Sequence, residues 1–240
     1  MPIDYNKGRP AKKGAGDPPP AQSGPISYSK RPAPSGPISL TKRGQQVSLT
    51  KRGGGASGPV RINLNWNQQP QNTGKGFLSK LKAAGGGGGI DLDLGCLVEM
   101  ADGSKGVVQA LGNSFGSLTQ PPFVMLDKDD RSGSASDGEN LLVSEKHSAE
   151  IKRLAVFAFI YQGAPNWSAA GGVVTIYPPH GETVTIKLDD TRDGVGMCSI
   201  CMIHGGDDGF VVEREVQYIS NHRDLDEMYG WGMTWTRGSK

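Results

Sequence analysis

Ile90-Asp91-Leu92-Asp93-Leu94-Gly95-Cys96-Leu97-Val98, the stretch IDLDLGCLV at residues 90–98, alternates apolar and polar side chains. A period of two is the spacing of a β-strand, in which residues i and i+2 share one face and their neighbours share the other. Leu92 and Leu94 are therefore expected in a core, with Asp91 and Asp93 side by side on the opposite face. Met100 to Lys105 then supplies turn residues, and Gly106 to Leu111 returns as the second arm of a hairpin.

Further along, Ile151 to Tyr161 (IKRLAVFAFIY) is almost continuously apolar, as expected of a central strand covered on both faces. Val173–Tyr177, Thr183–Leu188, Met197–Ile203 and Phe210–Gln217 follow at the roughly 8–12-residue spacing of a sandwich. The turn-rich His204–Gly209 joins the last two as antiparallel partners. Only Asn221–Tyr229 reads as helical, with Asn221 as its cap. The expected fold is all-β, an antiparallel β-sandwich over residues 90–240 with one short C-terminal helix.

The N-terminal part differs in kind. Residues 1–90 carry 14 Lys and Arg against 2 Asp, whereas residues 91–240 carry 12 against 22 acids, so the formal net charge of +2 hides two oppositely charged halves. Low-complexity sequence opens the basic half and AAGGGGGI closes it. Such composition buries too little apolar surface to offset backbone ordering at about 1–2 kcal/mol per residue. Residues 1–22 are expected to form a disordered basic tail and 67–89 a Gly-rich linker. Between them, residues 23–66 repeat a short motif: Ser23–Lys30 (SGPISYSK), Ser35–Lys42 (SGPISLTK), Val47–Lys51 (VSLTK) and Ser57–Leu64 (SGPVRINL). Each copy alternates like a strand, and a strand that short is not stable alone. Two readings stand: segments that add to a sheet edge, their own or a partner's, or a largely disordered, solvated basic arm.

The loop DKDDRSGSASDGEN, residues 127–140, holds Asp127, Asp129, Asp130, Asp137 and Glu139 within 13 positions. Crowded carboxylates repel one another unless a cation compensates. Calcium (Ca2+) takes about 6–8 oxygen ligands, and Ser132, Ser134, Ser136 and Asn140 add oxygens, while Gly133 and Gly138 let the backbone curl. An EF-hand is excluded: counted from Asp127, Arg131 falls on an acid position, Ser132 on the obligatory glycine and Gly138 on the bidentate glutamate. Asp91 and Asp93 offer a second source of ligands, and the alternative is a solvated acidic surface. Arg131 either pairs with a neighbouring carboxylate and fixes the loop or points to solvent.

Other patterns point away from catalysis. The chain has no Walker loop, GxSxG or HExxH, and no Ser, His and Asp trio that spacing would unite, so no enzyme is expected. Cys198 and Cys201 have CxxC spacing, but in a strand i and i+3 face opposite sides, which favours packing thiols over zinc or redox work. Three cysteines do not suggest a disulfide framework. His147, His180 and His222 are expected to be exposed, and Trp167, Trp231 and Trp235 to pack. The basic arm has widely spaced aromatics, so sequence-specific nucleic-acid binding is not expected. Residues 76–84 (GFLSKLKAA) would form either a short membrane-surface segment or a short packed helix or linker. With no apolar leader and no long apolar run, the expected location is cytoplasmic.

IDLDLGC, DKDDRSGSASDGEN, IKRLAVFAFIY and IHGGDDGFVVERE (203–215) resemble, in order, the TerD domain of tellurite-resistance and stress proteins, and HRDLDEMYGWGMTW (222–235) resembles its TerA-like branch. The VSLTK-type repeats are similar to the start of TerD-like chains. The resemblance implies a β-sandwich that binds calcium between the Asp-rich strand and the acidic loop, with Asp91, Asp93, Asp129, Asp130, Asp137 and Glu139 as ligands. Asp129-Asp130-Arg131-Ser132-Gly133 fits the first part of the family's loop pattern. The part that follows is less acidic than that pattern, so one ion is expected, with a second left open. The implied role is a calcium-binding, non-enzymatic stress-response protein. Its repeat arm would associate with other tellurite-resistance proteins or with the membrane periphery. The alternative is a scaffold or a cyclic-nucleotide or small-ligand-binding sandwich whose acidic loop is only structural.

Overall fold

The structure, a computed structural model, describes residues 36–50, 58–67, 89–127 and 138–235. All of them belong to one unit, Gly36–Lys240. Among the described residues thirteen strands run β1 (Ile38–Ser39), β2 (Gln46–Thr50), β3 (Pro59–Asn65), β4 (Asp91–Met100), β5 (Lys105–Val108), β6 (Gly116–Ser117), β7 (Val124–Leu126), β8 (Glu139–Ser144), β9 (Ile151–Gln162), β10 (Gly172–Tyr177), β11 (Val184–Leu188), β12 (Met197–Gly206) and β13 (Gly209–Ile219). They form two sheets, β1-β11-β10-β3-β8-β7-β6 and β2-β13-β12-β9-β4-β5. All pairings are antiparallel except β1 with β11.

Alternation decides what each sheet buries. Ile62, Leu64, Leu141, Val143, Val174 and Ile176 from the first sheet meet Leu92, Leu94, Leu154, Val156, Ile203 and Val212 from the second in one core. In the middle of β9, Ala155 and Phe157 face the other way, and they too are covered. Phe157 and Ala155, with Leu97 and Met202, pack under Leu225 and Trp231 in a second cluster. This second layer comes from α2 (His222–Tyr229) and the segment after it. The Asn221 side chain caps α2 by accepting from the N–H groups of Arg223 and Asp224, at 2.8 and 3.2 Å. Asp226 then gathers the next turn, accepting from Gly232 N, Met233 N and Trp235 Nε1 at 2.7–2.9 Å. Burial alone would raise the Asp226 carboxyl, but these donors, with Lys105 nearby, outweigh it and hold it below the usual carboxylate range. Trp231 is buried, donates to Val98 O and carries the Arg153 guanidinium 4.1 Å over its ring.

The repeats enter the sheets. Copies two, three and four supply β1, β2 and β3, and they bury Leu40, Leu49, Val60, Ile62 and Leu64. β3 lies in the interior of its sheet, between β10 and β8. The sandwich expected at 90–240 thus extends back to Gly36, and the described repeats are its strands rather than a solvated arm. The physical reason is partnership: strands of two to seven residues gain ladder bonds and a buried face only inside a larger sheet. Residues 1–22, Ser23–Lys30, GFLSKLKAA and nearly all of the Gly-rich linker lie outside the described residues. A one-turn helix not expected from the sequence, α1 (Trp167–Ala170), is capped by Asn166.

Candidate metal centre

Asp91 and Asp93 open β4, every residue of which is buried. Leu92 and Leu94 enter the main core as expected, leaving the two aspartates on the other face, with Gly95 and Leu97. The aspartates are themselves withdrawn from solvent, Asp91 to 6% and Asp93 to 0% exposure, which is unusual for ionisable side chains. A β-bulge sits beside them: Asp91 pairs with Gln162 but Leu92 with Ile160, so Tyr161 is the extra residue. Along its other edge β4 pairs with β5 from Cys96 to Glu99, and among the described residues no strand covers that edge at Asp91–Gly95.

Glu139 fills part of that edge from the facing sheet. It starts β8, shares the inward face of Leu141 and Val143, and is 1% exposed. Its Oε2 accepts the Leu94 N–H at 2.6 Å, a direct bond between the two sheets. Gly138 sets its position. With φ of +65° this residue occupies the left-handed region, and a Cβ there would overlap Leu64 O. The acid-rich loop begins where it ends, because Asp127 N donates to Asn140 O at 2.8 Å. Both ends of the loop are thereby fixed beside the Asp91–Asp93 strand.

The six expected ligands divide accordingly. Asp91, Asp93 and Glu139 lie along one edge of the sandwich, whereas Asp129, Asp130 and Asp137, with Arg131, fall outside the described residues. Among the described residues, no group of three or more His, Cys, Asp or Glu side chains is arranged to hold a metal ion. The donors present are carboxylate oxygens, which suit a hard cation such as calcium. The Asn140 side-chain oxygen is already engaged: Oδ1 accepts from Arg61 Nη1 at 3.1 Å and Asn63 Nδ2 at 3.0 Å. Sequence reading missed this asparagine's commitment to β3, because cross-strand pairing is invisible in the loop itself.

The thiols correct a second expectation. Ser199 pairs with Phe157 and Cys201 with Val156, so Ile200 is the extra residue of a bulge in β12. That extra residue reverses the alternation, and Cys198 and Cys201 both enter the main core, with Cys96. All three are free and buried. Burial pushes each thiol up, Cys201 to about 12, which disfavours the thiolate needed for metal or redox work. The histidines also differ from the exposed groups expected. His147 stacks flat on Phe123, and His222 packs edge-on against Phe157 and Phe159.

Comparison with known proteins follows this geometry. No family model matches the chain. The tellurium resistance protein TerA from an Alcaligenes species is 40% identical over 204 residues, covering 81% of this chain, and the chain spans 58% of that relative's length. A crystal structure titled as unknown function protein SAV2460 is 15% identical with a TM-score of 0.50, covering 74% of this chain and 99% of that one, a likeness of fold alone. A homologue of telluride resistance protein TerD from Streptomyces coelicolor A3(2) has a TM-score of 0.47 at 14% identity, over 71% of this chain and 95% of that one, and carries no further weight. The level and extent of the TerA identity, together with the ordered motifs on this two-sheet fold, support a place for the chain in the TerD-domain family of tellurite-resistance proteins.

Proposed function

We propose that the protein acts in tellurite resistance as a non-enzymatic, calcium-binding member of its family, with one ion held between β4 and the 127–140 loop. The observation that carries this reading is the Glu139–Leu94 bond between the sheets, which puts both ends of the acid-rich loop beside Asp91 and Asp93. Asp91, Asp93 and Glu139 would supply the strand side of the site, and Asp129, Asp130 and Asp137 the loop side. Bound calcium would neutralise carboxylates that the fold has already taken from water. The basic residues before Gly36, among them Lys7, Arg9, Lys12, Lys13, Lys30 and Arg31, suit association with acidic surfaces. The partners proposed for them are other tellurite-resistance proteins or the membrane periphery, in the cytoplasm. No described helix is long and apolar enough to cross a membrane.

Calorimetric titration of the full chain with calcium, paired with melting curves, tests the reading. An ion that binds only the folded state adds RT ln(1 + [Ca]/Kd), about 2.7 kcal/mol at a hundredfold excess over Kd. Asp91→Asn with Asp93→Asn, and separately Asp129→Asn with Asp130→Asn, are each expected to abolish that gain. No heat and no shift in the unsubstituted protein would refute calcium binding. A full response in either double variant would show that the ion sits elsewhere.

A further inference from the structure

At the far end of β8 from Glu139, about 17 Å along the strand, lies a cleft of about 440 Å³. Pro59 and Ser144, paired across β3 and β8, meet there. Pro59 and Leu118 give the cleft apolar lining, and Thr119, Ser144, Lys146 and His147 give it polar lining. Among the described residues no carboxylate lines it, which argues against a cation as its occupant.

The His147 ring is held in place from two sides. Its plane lies parallel to the Phe123 ring with centroids 3.9 Å apart. Its Nδ1 is 2.6 Å from Glu150 Oε1. A carboxylate oxygen accepts, so Nδ1 donates, and Nε2 is the ring nitrogen that remains for a ligand. Glu150 itself is not part of the cleft lining. Phe123 holds its ring there at a cost, since its φ of +59° is a conformation that bulky L-residues rarely adopt. That backbone is pinned by Phe123 N to Gln120 O at 2.8 Å and Ser144 N to Phe123 O at 3.0 Å. Backbone strain of this kind concentrates at binding sites, where neighbouring structure over-determines it. Here it fixes the imidazole beside a lysine and two hydroxyls.

We infer that this cleft binds a small organic oxyanion, a phosphate monoester or a carboxylate. Its acid group sits between Lys146 and His147, hydrogen-bonded by Ser144 or Thr119, and its carbon body lies against Pro59 and Leu118. The Lys146 ammonium, the hydroxyls and an imidazolium that donates through Nε2 while Nδ1 donates to Glu150 are the donors that an oxyanion requires. The volume falls in the roughly 300–1,000 Å³ range of small-molecule sites and exceeds what a bare anion fills. The site does not depend on the calcium reading, because it shares no residue with the 127–140 loop or with β4.

The test follows the His147 ring signals by NMR in the full chain during titration with phenyl phosphate, benzoate and inorganic phosphate. One aromatic anion is expected to bind saturably, at least about tenfold more tightly than inorganic phosphate, and the tighter of the two identifies the acid group. Lys146→Ala and His147→Gln, the former followed on the ring and the latter on backbone amides of residues 118–119 and 144–146, are each expected to weaken binding by about tenfold or more, with melting temperature retained. The inference is overturned by the absence of saturable shifts with either aromatic anion, by undiminished affinity in Lys146→Ala, or by equal affinity for all three anions.

Discussion

Glu139 offers the sharpest test of how the sandwich edge is built. Its Oε2 takes the Leu94 N–H at 2.6 Å, and both residues are buried, at 1% and 0% exposure. Glu139→Ala removes this acceptor from a buried donor, which costs about 1–3 kcal/mol. Glu139→Gln keeps an oxygen in reach and exchanges a charged acceptor for a neutral one, a loss of about 1 kcal/mol. Removal of a buried carboxylate offsets part of either cost. The expected order in calcium-free buffer is unsubstituted, then Gln, then Ala, with Ala lower by about 2 kcal/mol. With a slope of about 2 kcal/mol per molar urea, the Ala midpoint falls by about 1 M at unchanged slope. Equilibrium urea unfolding, read by tryptophan fluorescence, measures it. A Glu139→Ala protein within about 0.5 kcal/mol of the unsubstituted one would refute the inter-sheet role. Repeating the series with calcium separates two functions of one side chain, since a ligand role predicts that Gln also loses the ion-dependent gain.

Gly95→Ala places a Cβ 2.7 Å from the Phe157 ring and 2.9 Å from Val108 O, so overpacking is expected to cost about 1–3 kcal/mol in the same unfolding assay. His222 gives a pH dependence. Burial holds its imidazole below the ordinary value of about 6.5, so below that pH the unfolded chain binds the proton first. The His222 contribution is thus complete above about pH 6.5 and is lost as pH falls towards the folded-state value; melting curves from pH 7 to 5 should show the fall, flattened in His222→Gln. Cys96, Cys198 and Cys201 should resist a disulfide reagent at pH 8 until denaturant is added, and one rapidly reacting thiol in the native protein would contradict their burial.

Local periodicity carried much of this fold. The alternation of IDLDLGCLV placed Leu92 and Leu94 inward, the continuous run of IKRLAVFAFIY marked a strand covered on both faces, and Asn221 marked the start of α2. These are properties of a few adjacent residues, fixed by the geometry of a pleated strand or a first helical turn. Cys198 and Cys201 escaped the same rule because one extra residue, Ile200, shifts the alternation, and a bulge is set by the neighbouring strands rather than by its own sequence.

The sequence alone thus determined the family motifs, the two-layer β class, the separation of charge and the residue types of the acid-rich loop. Only the tertiary structure decided that the short repeats become strands within both sheets, since a short strand gains stability solely from distant partners such as β8, β10, β11 and β13. It also decided that Glu139 crosses between sheets to Leu94, that Asn140 is committed to Arg61 and Asn63, and that His147 is oriented by Phe123 and Glu150. A hydrogen bond is settled by distances of a few tenths of an ångström, and for Glu139–Leu94 and Asn140–Arg61 those distances join residues 45 and 79 positions apart, which no local pattern encodes.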